Sequence, residues 1–159
     1  MRIGISGHRQ RDGADWAWVR ARIRDLVGAT ENASGYSSLA PGADRIFAEE
    51  IMRSGQPLYF VQPVFPDGAE NYDDAALARH AAEIIPAYGP TPDEAYLAAG
   101  RKVADIAERM IFVWDGGPPR GLGGTADIVA YARGLGKSHI ILDPVRRLVS
   151  GADEWGVDI

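Results

Sequence analysis

Several short segments of the 159-residue sequence carry groups able to do chemistry. Gly121-Leu122-Gly123-Gly124-Thr125 opens a predicted helix after a predicted strand. Glycines let backbone N–H groups approach a ligand closely, and a helix N-terminus carries partial positive charge, so phosphate is the natural guest. The same residues also suit a plain surface turn. Gly7-His8-Arg9 ends the first apolar run. Arg9 can bind phosphate bidentately and His8 can donate a hydrogen bond or shuttle a proton; alternatively both pair with nearby carboxylates. Pro41-Gly42-Ala43-Asp44 again joins a strand to a helix. Asp44 either complements that helix's dipole or bonds ligand hydroxyls. Asp115, closing a further strand, can hold a ribose, act as general base, or serve as ordinary turn chemistry.

Other signatures are near misses. Gly136-Lys137-Ser138 looks like the end of a P-loop, but Tyr131 stands where that motif needs glycine, and the segment lies after a helix and before a strand. Gly121-x-Gly123-x-x-Ala126 with Asp143 fits the dinucleotide fingerprint, except that Asp115 to Arg120 separate the first glycine from its strand. Gly4-Ile5-Ser6-Gly7-His8 lacks the second glycine of a serine-nucleophile elbow. His80 and His139 are isolated, and no His/Asp/Glu spacing resembles a metal site.

The elements that must position these loops follow from apolar patterning. Short runs at Arg2–Ser6, Tyr36–Ala40, Pro57–Val61, Met110–Trp114 and His139–Leu142 alternate with helix-period segments. Helices are expected over Ala14–Val27, capped by Asp12 and ended by a left-handed Gly28, over Ala43–Arg53 with Gly55 as the stop, and over Thr125–Leu135. Pro63–Tyr72 reads as a loop and Asp73–Ile85 as a helix ended by Pro86. Thr91-Pro92-Asp93-Glu94 is a capping box opening the longest helix, with Tyr96, Ala99, Val103 and Ile106 on its apolar face. A short helix is possible after Pro144. The expected fold is α/β, a Rossmann-like three-layer sandwich with a mostly parallel sheet of about five strands in the order 3-2-1-4-5. That order puts the ligand crevice between the first and fourth strands, where Gly7-His8-Arg9 and the Asp115–Thr125 loop emerge.

The composition is 46% hydrophobic and 25% charged, which excludes disordered and collagen-like chains and suits one domain over residues 1–159. The absence of cysteine removes disulfides, thiolate zinc sites, iron–sulfur clusters and a cysteine nucleophile. Seventeen basic against 22 acidic side chains give a net charge of −5, which argues against a nucleic-acid partner. The residues Met1 to Arg9 form no signal-peptide core, and no apolar run is long enough for a bilayer, so a cytoplasmic chain without a membrane partner is expected.

Taken in order, three motifs resemble one family. Ile5-Ser6-Gly7-His8-Arg9 is similar to the "TGHR" opening of YpsA-like proteins in the SLOG superfamily, which also holds DprA/Smf and the "lonely guy" enzymes. Ser38-Leu39-Ala40-Pro41-Gly42-Ala43-Asp44 resembles their "SGxAxGAD" element, and Gly124-Thr125-Ala126-Asp127 their "GGT" nucleotide loop. The resemblance covers Met1 to Asp143 and implies a Rossmann-like fold that binds nucleotides or nucleotide-derived ligands, often as a homodimer or larger homo-oligomer. It implies ligand contacts at Gly7, His8, Arg9, Gly42, Asp44, Gly123, Gly124 and Thr125, to which the loop reading adds Gly121 and Asp115. The branch that cleaves nucleoside monophosphates carries an arginine before "PGGxGTxxE"; here Ile128 stands at the glutamate, Arg120 at the proline and Gly117 at the arginine.

The function expected is therefore binding or sensing of a small-molecule nucleotide, with no resident cofactor and no metal. A phosphoribohydrolase would have to use His8 with Asp115 or Asp44 as its catalytic pair. A protein-interaction module would expose Trp16, Trp18 and Trp155.

Overall fold

Five strand–helix–strand crossovers build the sheet, four stepping outward and one returning to its centre. The computed structural model describes residues 1–66, 75–122 and 124–159. The elements run β1 (Arg2–Gly7), α1 (Trp16–Gly28), β2 (Ser34–Ser37), α2 (Ala43–Arg53), β3 (Leu58–Val64), α3 (Ala75–His80), β4 (Glu83–Tyr88), α4 (Pro92–Ile106), β5 (Arg109–Val113), α5 (Thr125–Gly134), β6 (Ser138–Asp143), β7 (Leu148–Ser150) and α6 (Ala152–Trp155). The strands join in one sheet, β4-β3-β2-β1-β5-β6-β7, parallel except for the β6–β7 pair.

The inner strands, β3-β2-β1-β5-β6, keep the order expected from sequence, and each edge gains one strand. The expected helix over Asp73–Ile85 is corrected: within the described residues it is α3 followed by β4, because the Glu83–Tyr88 backbone pairs with β3. Pro86, expected to end a helix, sits instead in an edge strand, where a missing N–H costs least. The loop expected at Pro63–Tyr72 begins later, since β3 continues to Val64, and its remainder from residue 67 lies outside the described residues. Asp15, not Asp12, caps α1 by accepting from the Trp18 N–H, and the helix runs through Gly28 to a right-handed cap at Ala29.

Two apolar layers flank the sheet. On one face Val19, Ile23 and Leu26 of α1 and Phe47 and Ile51 of α2 pack on Ile3, Ile5 and Ile111. On the other, Ala99 and Val103 of α4 and Ile128 and Val129 of α5 pack on Met110 and Phe112. The helices approach closely where glycine allows it: a Cβ on Gly100 would fall 2.7 Å from Ile128 Cδ1. Trp155 is buried in the first layer, and Trp16 and Trp18 are half-buried against it, so these tryptophans are core and not a free aromatic face. Among the described residues no helix is long and apolar enough to cross a membrane.

Candidate functional site

The chain leaves β1 toward β2 and leaves β5 toward β6, in opposite directions along the sheet, so a crevice opens between the ends of these neighbouring strands. It encloses about 510 Å³. Of the residues expected at a ligand, Gly7, His8, Arg9, Asp44, Gly124 and Thr125 line it. Gly42, Asp115 and Gly121 do not, and Gly123 lies outside the described residues. The structure thus brings the loops after β1 and β5 and the start of α2 to a common rim.

The glycines in these loops have separate causes. A Cβ on Gly7 would come within 2.5 Å of Ala43 Cβ and 2.8 Å of Val113 Cβ, so β1 fits between β5 and α2 only without a side chain. Gly42 has φ +89°, and its Cβ would lie 2.5 Å from the carbonyl oxygens of both His8 and Arg9. With Ala43 N–H donating to the His8 carbonyl at 3.2 Å, Gly42 seats the start of α2 against the His8-Arg9 turn. Gly124 differs: its φ of −67° is open to any residue, and the nearest atom to an added Cβ is 3.5 Å away.

Behind the rim, Asp115 fastens the two loops. Its Oδ2 accepts from Arg11 Nε at 2.6 Å, and its Oδ1 accepts from the Gly117 N–H at 2.9 Å. Burial pushes this carboxyl up, but Arg11, the Gly117 N–H and His8 outweigh it and hold it well below the usual carboxylate range. The Asp115 N–H donates to His8 Nε2 at 3.1 Å. Burial lowers the His8 pKa despite the nearby Asp115 carboxylate, whose Oδ1 lies 3.2 Å from His8 Nε2. Asp115 is committed to the loops and does not line the crevice, while His8 does.

Asp44 is the reverse case. It is 4% exposed yet lines the crevice. Its Oδ2 accepts from Ser38 Oγ at 2.8 Å, from the Ser38 N–H at 3.2 Å and from Ser37 Oγ at 3.3 Å, while Oδ1 has no hydrogen-bond partner among the described residues. Burial raises its pKa to about 6, against the downward pull of these donors and of Arg9.

The start of α5 is bare. Gly124 is its N-cap and offers no side-chain acceptor, whereas α1 and α4 are capped by Asp15 and Thr91. Thr125, 8% exposed, lines the crevice, and its hydroxyl makes no hydrogen bond with any described residue. Arg9 likewise forms no ion pair among the described residues; its guanidinium lies over the Tyr96 ring, 4.1 Å from the centroid. Arg120, 64% exposed, also lines the crevice, 3.7 Å from Asp115. The Arg9 guanidinium, first-turn N–H groups and a hydroxyl with no hydrogen bond among the described residues make a receptor for an anion. Sequence periodicity missed Tyr96, because a crevice-facing aromatic and a core-facing one share the same helical spacing. Among the described residues no group of three or more His, Asp or Glu side chains is placed to hold a metal ion.

No protein-family model and no curated protein sequence matches the chain. Solved structures do. DNA processing protein A (DprA) from Streptococcus pneumoniae superposes with a TM-score of 0.70 at 18% identity, over 98% of this chain and 54% of that one. DNA processing protein A from Helicobacter pylori, whose structure is described as showing a unique single-stranded DNA binding mode, gives 0.68 at 18% identity, over 97% of this chain and 70% of that one. The protein TM1055 gives 0.59 at 13% identity, over 91% and 75%. The chain thus spans about half the length of the pneumococcal protein.

One expectation is corrected by these likenesses. Net charge of −5 is no ground for excluding nucleic acid, since the Helicobacter protein, which shares this fold, is described as having a single-stranded DNA binding mode. Charge acts where it is placed, and here Arg9 and Arg120 stand at the crevice whatever the sum over the surface. At the level of the fold, the expectation holds: the chain has a Rossmann-like fold shared with DNA processing protein A and TM1055.

Proposed function

We propose that the chain binds a nucleotide or nucleotide-derived ligand as one domain, with its phosphate at the start of α5 beside Arg9. The observation that carries this reading is that, among the described residues, Arg9 forms no ion pair and the Thr125 hydroxyl no hydrogen bond, and both line one crevice with an α5 N-terminus that has no side-chain cap. A phosphate there would meet N–H donors, a hydroxyl and a guanidinium, each charge-assisted and partly shielded from water. Asp44 Oδ1 is suited to accept from a sugar hydroxyl, and Trp114, Pro118 and Leu122 supply apolar surface for a base. The phosphoribohydrolase reading has weaker support. Asp115 is bound to Arg11, and Ile128, at the position of the hydrolase glutamate, is buried in the α4–α5 core.

Calorimetric titration with mono-, di- and cyclic nucleotides, and with a short single-stranded oligonucleotide, tests the proposal. Saturable binding of a mononucleotide supports a free ligand; binding of the oligonucleotide alone assigns the same phosphate chemistry to a strand. No binding of either at millimolar concentration overturns the proposal.

A further inference from the structure

We infer that Tyr96 is a positioning residue for Arg9: its ring face holds the guanidinium at the crevice without neutralising it. The inference rests on the reading of the crevice as a phosphate site. Arg9 and Arg11 stand on the same loop and are held in opposite ways. Arg11 donates from Nε to Asp115 Oδ2 at 2.6 Å, so a carboxylate both fixes it and balances its charge. Arg9 has no carboxylate among the described residues; its Cζ lies 4.1 Å from the Tyr96 centroid.

An aromatic face attracts a guanidinium through its quadrupole, contributing about 0.5 to 2 kcal/mol. Such a contact uses none of the guanidinium's N–H donors in hydrogen bonds, and Arg9 donates none to a described residue, so they are available to an oxyanion. A carboxylate would occupy those donors. Tyr96 thus restricts the side chain's freedom before a ligand arrives, which lowers the ordering cost of binding. The ring's own position is set by the backbone. Thr91 caps α4 by accepting from the Glu94 N–H at 3.3 Å, and Gly89 packs so tightly that an added Cβ would lie 2.3 Å from Ala95 N. The Tyr96 hydroxyl has no hydrogen-bond partner among the described residues, so the ring is the working part and phenylalanine should replace it.

The test compares affinities for the common ribonucleoside 5′-monophosphates and their nucleosides in wild type, Y96F, Y96L, R9A and R9A/Y96L. The quantity read is the ratio of nucleotide to nucleoside affinity. Y96F keeps the wild-type ratio. Y96L lowers it about fivefold to tenfold with nucleoside affinity unchanged, and adds nothing further in the R9A background. A merely structural role would weaken both ligands alike. Equal loss for both ligands, additive effects in the double variant, or a Y96F as impaired as Y96L overturns the inference and leaves the phosphate reading standing. A wild type that gains nothing from the phosphate overturns both. Should Y96L not fold, NMR of the wild type decides: the Arg9 guanidinium protons should carry the ring-current shift of Tyr96 and move when the nucleotide is added. Protons unshifted by the ring, or unmoved by the nucleotide, overturn it.

Discussion

Arg11 Nε lies 2.6 Å from Asp115 Oδ2, and this ion pair ties the turn after β1 to the turn after β5 at the back of the crevice. The pair is largely shielded, with Asp115 11% exposed. Removing one partner leaves the other's charge without its match. D115N is expected to lose about 1 to 3 kcal/mol of stability in denaturant titrations, and to weaken nucleotide binding because the two rims are no longer held in register. The Asp115 pKa is held down in the folded chain, so its contribution is present above the ordinary carboxylate range and fades as pH falls through the lowered value. An unchanged unfolding midpoint in D115N would contradict this role.

Asp44 should give the opposite pH dependence. Its folded pKa is raised to about 6, so the native state holds this proton where the unfolded chain has already lost it. Stability therefore falls as pH rises from about 4 through about 6, by about 2 to 3 kcal/mol from this group. Binding of an anion of fixed charge that has no sugar hydroxyl for Asp44 Oδ1 to accept from, such as sulfate, should strengthen as pH falls through 6. Protonation of His8, whose pKa is lowered, adds in the same direction. D44N isolates the carboxyl: calorimetry from pH 4 to 8 should lose the Asp44 component and keep that of His8.

Two glycines of the rim should respond differently to alanine. At Gly42, with φ +89° and backbone carbonyls 2.5 Å from the added Cβ, G42A should cost about 2 kcal/mol or more and lower the melting temperature. At Gly124, where the conformation suits any residue and the space is open, G124A should leave stability within about 0.5 kcal/mol. Any several-fold loss of nucleotide affinity in G124A then reports on the phosphate cradle alone, since the fold is undisturbed.

Glu50 offers a check on stability away from the crevice. It is 2% exposed and meets Arg20 and Arg24 of α1, which join that helix to α2, and Arg53 three residues on in α2 itself. Burial raises its pKa, but the three guanidiniums outweigh this and bring it to about 2. Its stabilisation is present above the ordinary glutamate value and is lost as pH falls toward 2. E50Q should cost about 2 to 4 kcal/mol, measured by chemical denaturation, with nucleotide affinity per folded molecule unchanged.

The inner sheet was legible because its strands are buried on both faces and carry long apolar runs such as Met110–Val113. The edges were not. β4 combines exposed Ile84 and Tyr88 with Pro86, and only pairing with β3 makes a strand of it. β7 depends on a turn in which Arg147 has φ 56°, a conformation that its residue type does not announce. At the rim, motif spacing located the loops correctly but could not say which side chains face inward. Asp44 in the first turn of α2 and Asp115 after β5 are both acids of strand–helix connections; Arg11, two residues beyond Arg9, captures the second and leaves the first beside the crevice.

The account turns on where the phosphate sits. A crystal structure with a bound nucleoside 5′-monophosphate should place phosphate oxygens within about 3 Å of Thr125 Oγ1 and of the Arg9 guanidinium. A phosphate bound elsewhere, with the start of α5 unoccupied, would contradict it.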